Sequence, residues 1–329
     1  MPTRPPEGRI TDMTDRTIAL LGLGVMGTPM AQNVAAAGFH IEAFDLFEQA
    51  RARAREEGVK VVDDVAELLS RAAVVITMLP STPHVTEVVN GANGTIANCR
   101  PGTVHVDMSS ISPVATRELG AASITAGLGY IDAPVSGGVK GARAGALSIM
   151  VGGEEEHLAL VCDVLEAMGT KITHMGPVGT GQATKVCNQI AVAINIQAIC
   201  EAFALGSSLG VDLGRLREAL LGGSTASWVL EHLGPQILAG DDSAGFRIAL
   251  QVKDLRLGLE AAANSNVPLP ATSGVLDLYT EAMAHGEDGN GNQALSRVYE
   301  RLANLQIAES SHSSAPQATD HSPLSQNQT

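Results

Sequence analysis

The sequence predicts an α/β fold in which a doubly wound, mostly parallel sheet is followed by an all-α domain. Short apolar segments alternate with helical segments of about 8 to 15 residues as far as residue 178, and this alternation is typical of a parallel sheet with helical crossovers. No convincing strand pattern occurs between residues 182 and 304. A length of 329 residues is enough for about two domains.

The elements of the first part follow one another closely. Strand patterns occupy residues 17–21, 40–44, 74–78, 103–106, 130–135, 148–151 and 172–175. Helical patterns occupy residues 25–37, 49–57, 113–126 and 155–168. The first two helices end at Gly38 and Gly58, which suit a position just after a helix.

The second part reads as one long helix over residues 182–209 and then as shorter helices separated by Gly and Pro. We therefore expect a first domain over residues 16–178 and an all-helical substrate and oligomerisation domain over residues 179–306. The polar segments 1–15 and 307–329 are expected to be disordered tails.

Charge and composition argue against several classes of partner. The chain carries 21 Lys and Arg against 35 Asp and Glu, a net charge of −14, and only 3% aromatic residues, so neither nucleic acid nor an anionic membrane is an expected partner. The uncharged run between Lys185 and Glu201 is too short to span a bilayer. The four cysteines form no CxxC pair, and residues 1–16 lack an apolar run, so we expect reduced thiols and a cytoplasmic location.

A glycine-rich turn follows the first strand and opens the first helix. It has the pattern GxGxxG and consists of Gly22, Leu23, Gly24, Val25, Met26 and Gly27. In such a turn the first glycine makes the bend, the second lets a pyrophosphate approach the backbone, and the third lets helix and strand pack closely. The helix N-terminus adds free N–H groups and partial positive charge. The motif therefore predicts a Rossmann-type dinucleotide-binding domain.

Asp45 ends the second strand and follows Gly27 by 18 residues, close to the spacing expected of a ribose-binding acid. Its charge would repel a 2′-phosphate, and Leu46 and Phe47, rather than an arginine, come next. We therefore expect NAD(H) to be preferred over NADP(H). The alternative is that Asp45 is an exposed turn residue.

Two further groups of residues could act on a substrate. Ser136, Gly137 and Gly138 follow a strand, and successive N–H groups in such a turn can hold a carboxylate; the alternative is a glycine-rich bend at a sheet edge. Lys185, Asn188 and Gln189 share one face of the long helix. A positioned lysine can act as a general acid or base, whereas an isolated helical lysine is usually solvated. None of the nine histidines forms a metal-ligand pair at helical spacing, so no metal site is predicted.

Together these motifs resemble the β-hydroxyacid dehydrogenase family, of the 3-hydroxyisobutyrate dehydrogenase and tartronate semialdehyde reductase type. The similarity lies in the turn at residues 22–27, the segment DAPVSGG at 132–138, the segment GTG at 179–181 with Lys185 and Asn188, and the segment KDL at 253–255. Many members have Asn where this chain has Gln189, and Thr where it has Ser110.

The resemblance implies a role for each site residue. Lys185 would be the catalytic acid and base, and Ser136, Gly137 and Gly138 would hold the substrate carboxylate. Asn188 and Gln189 would orient the substrate. The cofactor would lie against the residues at three further places: Leu79 and Pro80, Ser110, and Lys253.

The predicted activity is NAD(P)-dependent interconversion of a small 3-hydroxy acid and its 3-oxo acid or semialdehyde. One alternative is an imine reductase, which shares this fold but usually lacks the lysine. Another is a non-catalytic dinucleotide-binding module, which would need neither Lys185 nor the Ser136 turn. The long apolar helix suggests a partner surface, so we expect a homodimer or homotetramer.

Overall fold

In the computed structural model of the protein, residues 16–308 are described. The predicted N-terminal tail and residues 309–329 of the predicted C-terminal tail lie outside the described residues. Ile307, the first residue of that C-terminal segment, is buried in the core of the helical part, and its N–H donates to the Glu300 carboxylate at 2.8 Å. The described chain therefore includes two residues of the segment expected to be a tail.

The first part of the chain forms one sheet of eight strands. They are β1 (Thr17–Leu21), β2 (Ile41–Phe44), β3 (Ala72–Thr77), β4 (Val104–Asp107), β5 (Gly129–Asp132), β6 (Val135–Ser136), β7 (Leu147–Gly153) and β8 (Gly169–Gly176). The order is β2-β1-β3-β4-β5-β7-β6, with β8 also paired to β7. The first five strands pair in parallel and β7 pairs in parallel with β8, whereas β5 and β6 pair antiparallel with β7. This confirms the predicted fold class.

Helices connect the strands. They are α1 (Gly27–Ala36), α2 (Glu48–Glu56), α3 (Val65–Arg71), α4 (Thr82–Asn90), α5 (Thr95–Asn98), α6 (Pro113–Thr125), α7 (Gly138–Arg143) and α8 (Glu155–Glu166). The sequence patterns missed α3, α4, α5 and α7, which are short. Pro83 lies in the first turn of α4, where proline is well tolerated.

Both faces of the parallel strands are buried, as expected when helices cover a sheet on each side. Ile18, Leu20 and Ile76 pack into one hydrophobic core, and Ala19 and Val75, which alternate with them, pack into another. The strands are therefore fixed in register, and their carboxyl ends lie along one edge of the sheet. In parallel sheets ligands bind at that edge.

The second part is helical. It contains α9 (Thr180–Ser208), α10 (Leu213–Leu221), α11 (Trp228–His232), α12 (Gly234–Ala239), α13 (Ile248–Ser265), α14 (Pro270–Ala284), a 3₁₀ helix (Asn292–Leu295) and α15 (Ser296–Ala303). Its core includes Cys200, Phe203, Leu255 and Tyr279, all fully buried. Within residues 16–308 this part has no strand, only an isolated bridge between Arg247 and Gly291.

The long helix α9 begins at the sheet. The Asp132 carboxylate, at the end of β5, accepts hydrogen bonds from the N–H groups of Gly179 and Gln182, both at 2.7 Å. The whole helix α9 has 29 residues, more than the uncharged run between Lys185 and Glu201. By length and composition alone it is therefore long and apolar enough to cross a membrane. In the structure it contributes Ile196 and Phe203 to the second core.

Candidate active site

The glycine-rich turn is closely packed at its first and third glycines. Gly22 has φ +107°, and a Cβ there would lie 2.4 Å from the Met78 carbonyl oxygen. A Cβ on Gly27 would lie 1.8 Å from the Gly22 carbonyl oxygen. A side chain at either position is therefore incompatible with this backbone, which brings the N-terminus of α1 against the end of β1.

The second glycine is different. A Cβ on Gly24 would meet nothing within 4 Å, and the residue is exposed, as is Val25, whose side chain is 68% accessible. The backbone at Gly24 thus faces open space at the start of α1, where unpaired N–H groups and the helix dipole favour an anion. This arrangement fits the pyrophosphate of a dinucleotide.

Asp45 lies beside this turn. Its carboxylate accepts hydrogen bonds from the N–H of Leu23 at 2.7 Å and from the N–H of Phe47 at 2.9 Å. Each carboxylate oxygen has further lone pairs, so it can also accept from ribose hydroxyls. The nearby Arg51 donates to the Asp45 carbonyl oxygen at 2.6 Å and pairs with two carboxylates, those of Glu48 and Asp63.

The ends of β3 and β4 meet next to the turn. The N–H of Leu79 donates to the Ser109 hydroxyl at 2.9 Å, whereas the adjoining Pro80 is exposed. Asp107 shapes the turn that delivers Ser109 and Ser110, because its carboxylate accepts from the Thr77 hydroxyl and from the Ser109 N–H. Burial raises the pKa of Asp107 to about 6.

Lys185 is buried, with only 6% of its surface accessible. Its Nζ donates to Oε1 of Gln189 at 3.0 Å, and the same oxygen accepts from Nδ2 of Asn188 at 2.8 Å. Nε2 of Gln189 donates to the Asp254 carboxylate at 2.7 Å. Because a carboxylate can only accept, Asp254 fixes which end of the Gln189 amide faces Lys185.

The network continues to Lys253 and to the sheet. The Nζ of Lys253 lies 3.1 Å from the Asp254 carboxylate and donates to the Ser110 carbonyl oxygen at 2.5 Å. The buried Asp254 carboxylate therefore links Gln189 to Lys253, and the other residues contact one of these two. The network contains five predicted site residues, which are Lys185, Asn188, Gln189, Lys253 and Ser110. Asp254 was not predicted as a site residue, because Lys253 and Asp254 are adjacent and neighbouring residues on a helix do not usually face each other. The only sequence signal for Asp254 was its place in the KDL segment.

Burial lowers the pKa of the Lys185 amine to about 8, because a charged ammonium is poorly solvated in the interior. The two charges beside it act in opposite directions. The negative Asp254 favours the ammonium and raises the pKa, whereas the positive Lys253 lowers it. Near neutral pH the amine can therefore exist in both protonation states.

The Ser136 turn lies at the edge of the sheet, between β6 and α7. Gly137 and Gly138 have φ values of +133° and +58°. A Cβ on Gly138 would lie 3.3 Å from the carbonyl oxygen of Gly245, which precedes α13. The turn thus approaches the segment that leads to Lys253, but no direct hydrogen bond joins it to the Lys185 network among the described residues. Both its predicted roles, a carboxylate nest and an edge bend, are compatible with this position.

No group of three or more His, Cys, Asp or Glu side chains could hold a metal ion in the described part of the chain.

Comparison with known proteins accounts for nearly the whole described chain. Residues 17–176 match the family described as the NAD binding domain of 6-phosphogluconate dehydrogenase. Residues 179–299 match the one described as NAD-binding of NADP-dependent 3-hydroxyisobutyrate dehydrogenase. The chain belongs to the β-hydroxyacid dehydrogenase family. This confirms the predicted family and identifies the protein as an NAD(P)-dependent hydroxyacid dehydrogenase.

Members of the β-hydroxyacid dehydrogenase family are similar over almost their full length. The 2-hydroxy-3-oxopropionate reductase of Escherichia coli is 39% identical, over 88% of this chain and 99% of that protein. The 2-(hydroxymethyl)glutarate dehydrogenase of Eubacterium barkeri is 36% identical, over 88% and 97%. The structure of Mycobacterium tuberculosis 3-hydroxyisobutyrate dehydrogenase with L-serine has a TM-score of 0.80 and 37% identity, covering 86% and 98%.

The contrast between Gly27 and Gly24 leads to a first prediction. Gly27→Ala should destabilise the protein by roughly 2 kcal/mol or more, because the new methyl group overlaps the Gly22 carbonyl. Gly24→Ala should change stability by less than about 0.5 kcal/mol, since the space is open, yet weaken NADH binding at least tenfold. Urea unfolding and NADH titration measure the two effects. Equal unfolding midpoints for the two variants would contradict this assignment of roles.

Proposed function

We propose that the protein interconverts a small 3-hydroxy acid and its 3-oxo acid or semialdehyde, with Lys185 as the general acid and base. The observation that carries the proposal is the buried Lys185 amine, held by Gln189 in a network that reaches the Ser110 carbonyl at the carboxyl edge of the sheet. A solvated lysine would be exposed. The buried amine also argues against an imine reductase, which usually lacks this lysine.

A nicotinamide dinucleotide held by the glycine-rich turn and Asp45 would supply or accept the hydride at the carbon that bears the oxygen. The protein must then handle one proton at that oxygen. In reduction the Lys185 ammonium donates a proton to the developing alkoxide, and in oxidation the neutral amine accepts a proton from the alcohol. A pKa of about 8 suits both directions, because neither protonation state is rare near neutral pH.

The substrate is proposed to carry its carboxylate in the turn formed by Ser136, Gly137 and Gly138. Two glycines with positive φ leave main-chain N–H groups without side chains in front of them. Asn188 is only partly buried, so its amide can orient the substrate beside Lys185. The related enzymes are named for a 3-oxo acid and for acids bearing a primary alcohol, which supports this substrate class.

NAD(H) is proposed to be preferred over NADP(H). Asp45 places a negative charge beside the glycine-rich turn, and a 2′-phosphate next to it would be repelled. Arg51, the cation nearest to this turn among the contacts described above, already pairs with Glu48 and Asp63 and hydrogen-bonds main-chain carbonyls. Its charge is therefore largely neutralised before any cofactor binds.

We also propose that the protein is a homodimer or homotetramer and that it is cytoplasmic. One face of α9 exposes Cys187, Ala191, Ala198 and Leu205, with the single acid Glu201 among them, and a mainly apolar face of this length is usually covered by a partner. If two copies pack through this face of α9, the charge added by Ala198→Arg should dissociate the oligomer. Sedimentation velocity measures the change in oligomeric state. The cytoplasmic location is supported by the four cysteines, each a free thiol.

Lys185→Ala tests the acid and base. We expect kcat to fall by about 10²–10⁴-fold, the usual contribution of general acid–base catalysis, with NADH affinity little changed. Lys171→Ala, at an exposed lysine on β8, is the matched control and should retain full activity. Steady-state rates with 2-hydroxy-3-oxopropionate and 3-hydroxyisobutyrate measure the loss. Activity of the Lys185 variant within tenfold of the parent would remove Lys185 from the mechanism.

The charges around Lys185 predict opposite shifts in pH dependence. Oxidation needs the neutral amine, so its rate rises with pH through the pKa of Lys185. Asp254→Asn removes a charge that favours the ammonium, so the rise should move to lower pH. Lys253→Met removes a positive charge that disfavours the Lys185 ammonium, so the rise of the oxidation rate should move to higher pH.

Profiles of kcat/KM for alcohol oxidation between about pH 6 and pH 10 measure both shifts. Asp277→Asn, an exposed acid on α14, is the control and should leave the profile unchanged. Shifts in the same direction for the Asp254 and Lys253 variants would show that these charges do not set the pKa of the Lys185 amine.

Asp45→Ser tests the cofactor preference. Removing the carboxylate should lower the ratio of kcat/KM for NAD to that for NADP by about tenfold or more, because the repulsion of the 2′-phosphate is lost. The ratio is measured with one substrate and both cofactors, and Asp277→Ser serves as the charge-matched control. An unchanged ratio would refute the role given to Asp45.

A further inference from the structure

Gln182 joins the helix that carries Lys185 to the turn that follows β4. The residue is fully buried. Its Nε2 donates to the Ser109 carbonyl oxygen at 2.7 Å, and its Oε1 accepts from the Ile111 N–H at 3.1 Å. One amide therefore binds the main chain on both sides of Ser110.

The same residue is anchored at its own main chain. Its N–H donates to the Asp132 carboxylate at 2.7 Å, in the first turn of α9. Next to it, a Cβ on Gly181 would lie 2.4 Å from the Met150 carbonyl oxygen, so the turn is already as close to the sheet as the backbone allows. The start of α9 therefore cannot move towards β7, and the Gln182 side chain fixes it relative to β4.

Lys185 lies three residues after Gln182, on the same side of the helix. Gln182 thus connects the two groups whose separation matters: the amine, and the Ser110 turn that Lys253 also contacts. Misplacement of a reacting group by about 1 Å can cost 10²-fold in rate. A fully buried side chain with two hydrogen bonds to the main chain is well suited to prevent it.

We propose that Gln182 is a positioning residue that sets the distance between the Lys185 amine and the Ser110 turn. It touches neither the amine nor any atom proposed to react, and it acts through the helix turn that it fixes. The inference rests on the proposed function, because it assigns Gln182 a role only if Lys185 handles the proton.

The variant to measure is Gln182→Met, which has nearly the same volume but cannot make either hydrogen bond. We expect kcat to fall by roughly 10–100-fold while KM for both substrates stays within about threefold, since the binding groups remain in place.

Gln293→Met is the matched control. Gln293 is also buried and its amide donates to two main-chain oxygens, those of Asp241 and Ser243, but no described hydrogen bond joins its side chain to Lys185, Gln189 or Asp254. A purely structural effect of losing a buried glutamine should appear in both variants as a lower melting temperature. Only Gln182→Met should lose kcat per folded molecule.

A double-mutant cycle with Lys185→Ala shows whether Gln182 acts through the amine. If it does, Gln182→Met should cost less than about threefold in the Lys185→Ala background, although it costs at least tenfold in the parent. Equal costs in the two backgrounds, or an unchanged kcat in Gln182→Met, would overturn the proposal. Failure of the proposed function would appear separately, as an active Lys185→Ala single variant.

Discussion

The Lys185 amine is held in the protein interior by a single described acceptor, the Gln189 amide oxygen, and much of the site follows from that hydrogen bond. An amide can point either of its ends at a neighbour, so something must decide which end faces Lys185. Asp254 decides it by accepting from the nitrogen. The carboxylate also offsets part of the cost of burying a cation, because its negative charge lies close to the ammonium.

The same carboxylate is shared with Lys253, and this limits how far the amine can be stabilised as a cation. With Lys253 in contact, the negative charge of Asp254 is partly neutralised, and the positive charge of Lys253 opposes a second cation nearby. Burial and the charge of Lys253 together lower the pKa of the Lys185 amine to about 8, so the amine can lose its proton near neutral pH. The proposed role of Lys185 as both acid and base needs such a balance.

The fold could be predicted from the sequence to a large extent, because the apolar alternation and the glycine pattern are local signals. The dinucleotide turn was readable for the same reason: Gly22 and Gly27 are required by contacts with neighbouring backbone that any turn of this kind makes. Short helices such as α3 and α7 were missed because six or seven residues give too little periodicity.

The candidate site was only partly predictable. Lys185, Asn188 and Gln189 share a helix face, so their proximity follows from spacing. The hydrogen bonds of the Gln182 amide with Ser109 and Ile111, and that of Asp254 with Gln189, join residues 65 to 73 positions apart in the chain, and no local pattern encodes such a distance. The family resemblance supplied roles for Ser110 and Lys253 but gave no reason to expect that Lys253 contacts the Ser110 carbonyl directly and reaches Gln189 through Asp254.

The long helix has one more consequence. Its 29 residues make a rod about 43 Å long, fastened to the sheet at one end by Asp132. The amine sits near the fastened end, while the exposed leucine at position 205 lies far along the rod. Recombination that exchanged the helical half between relatives would therefore move the Lys185 amine together with its neighbours on α13, whereas the glycine-rich turn would stay in the other half. The hydrogen bonds that cross the junction just before residue 180, made by Asp132, Gln182 and Lys253, would then have to be matched between the two halves.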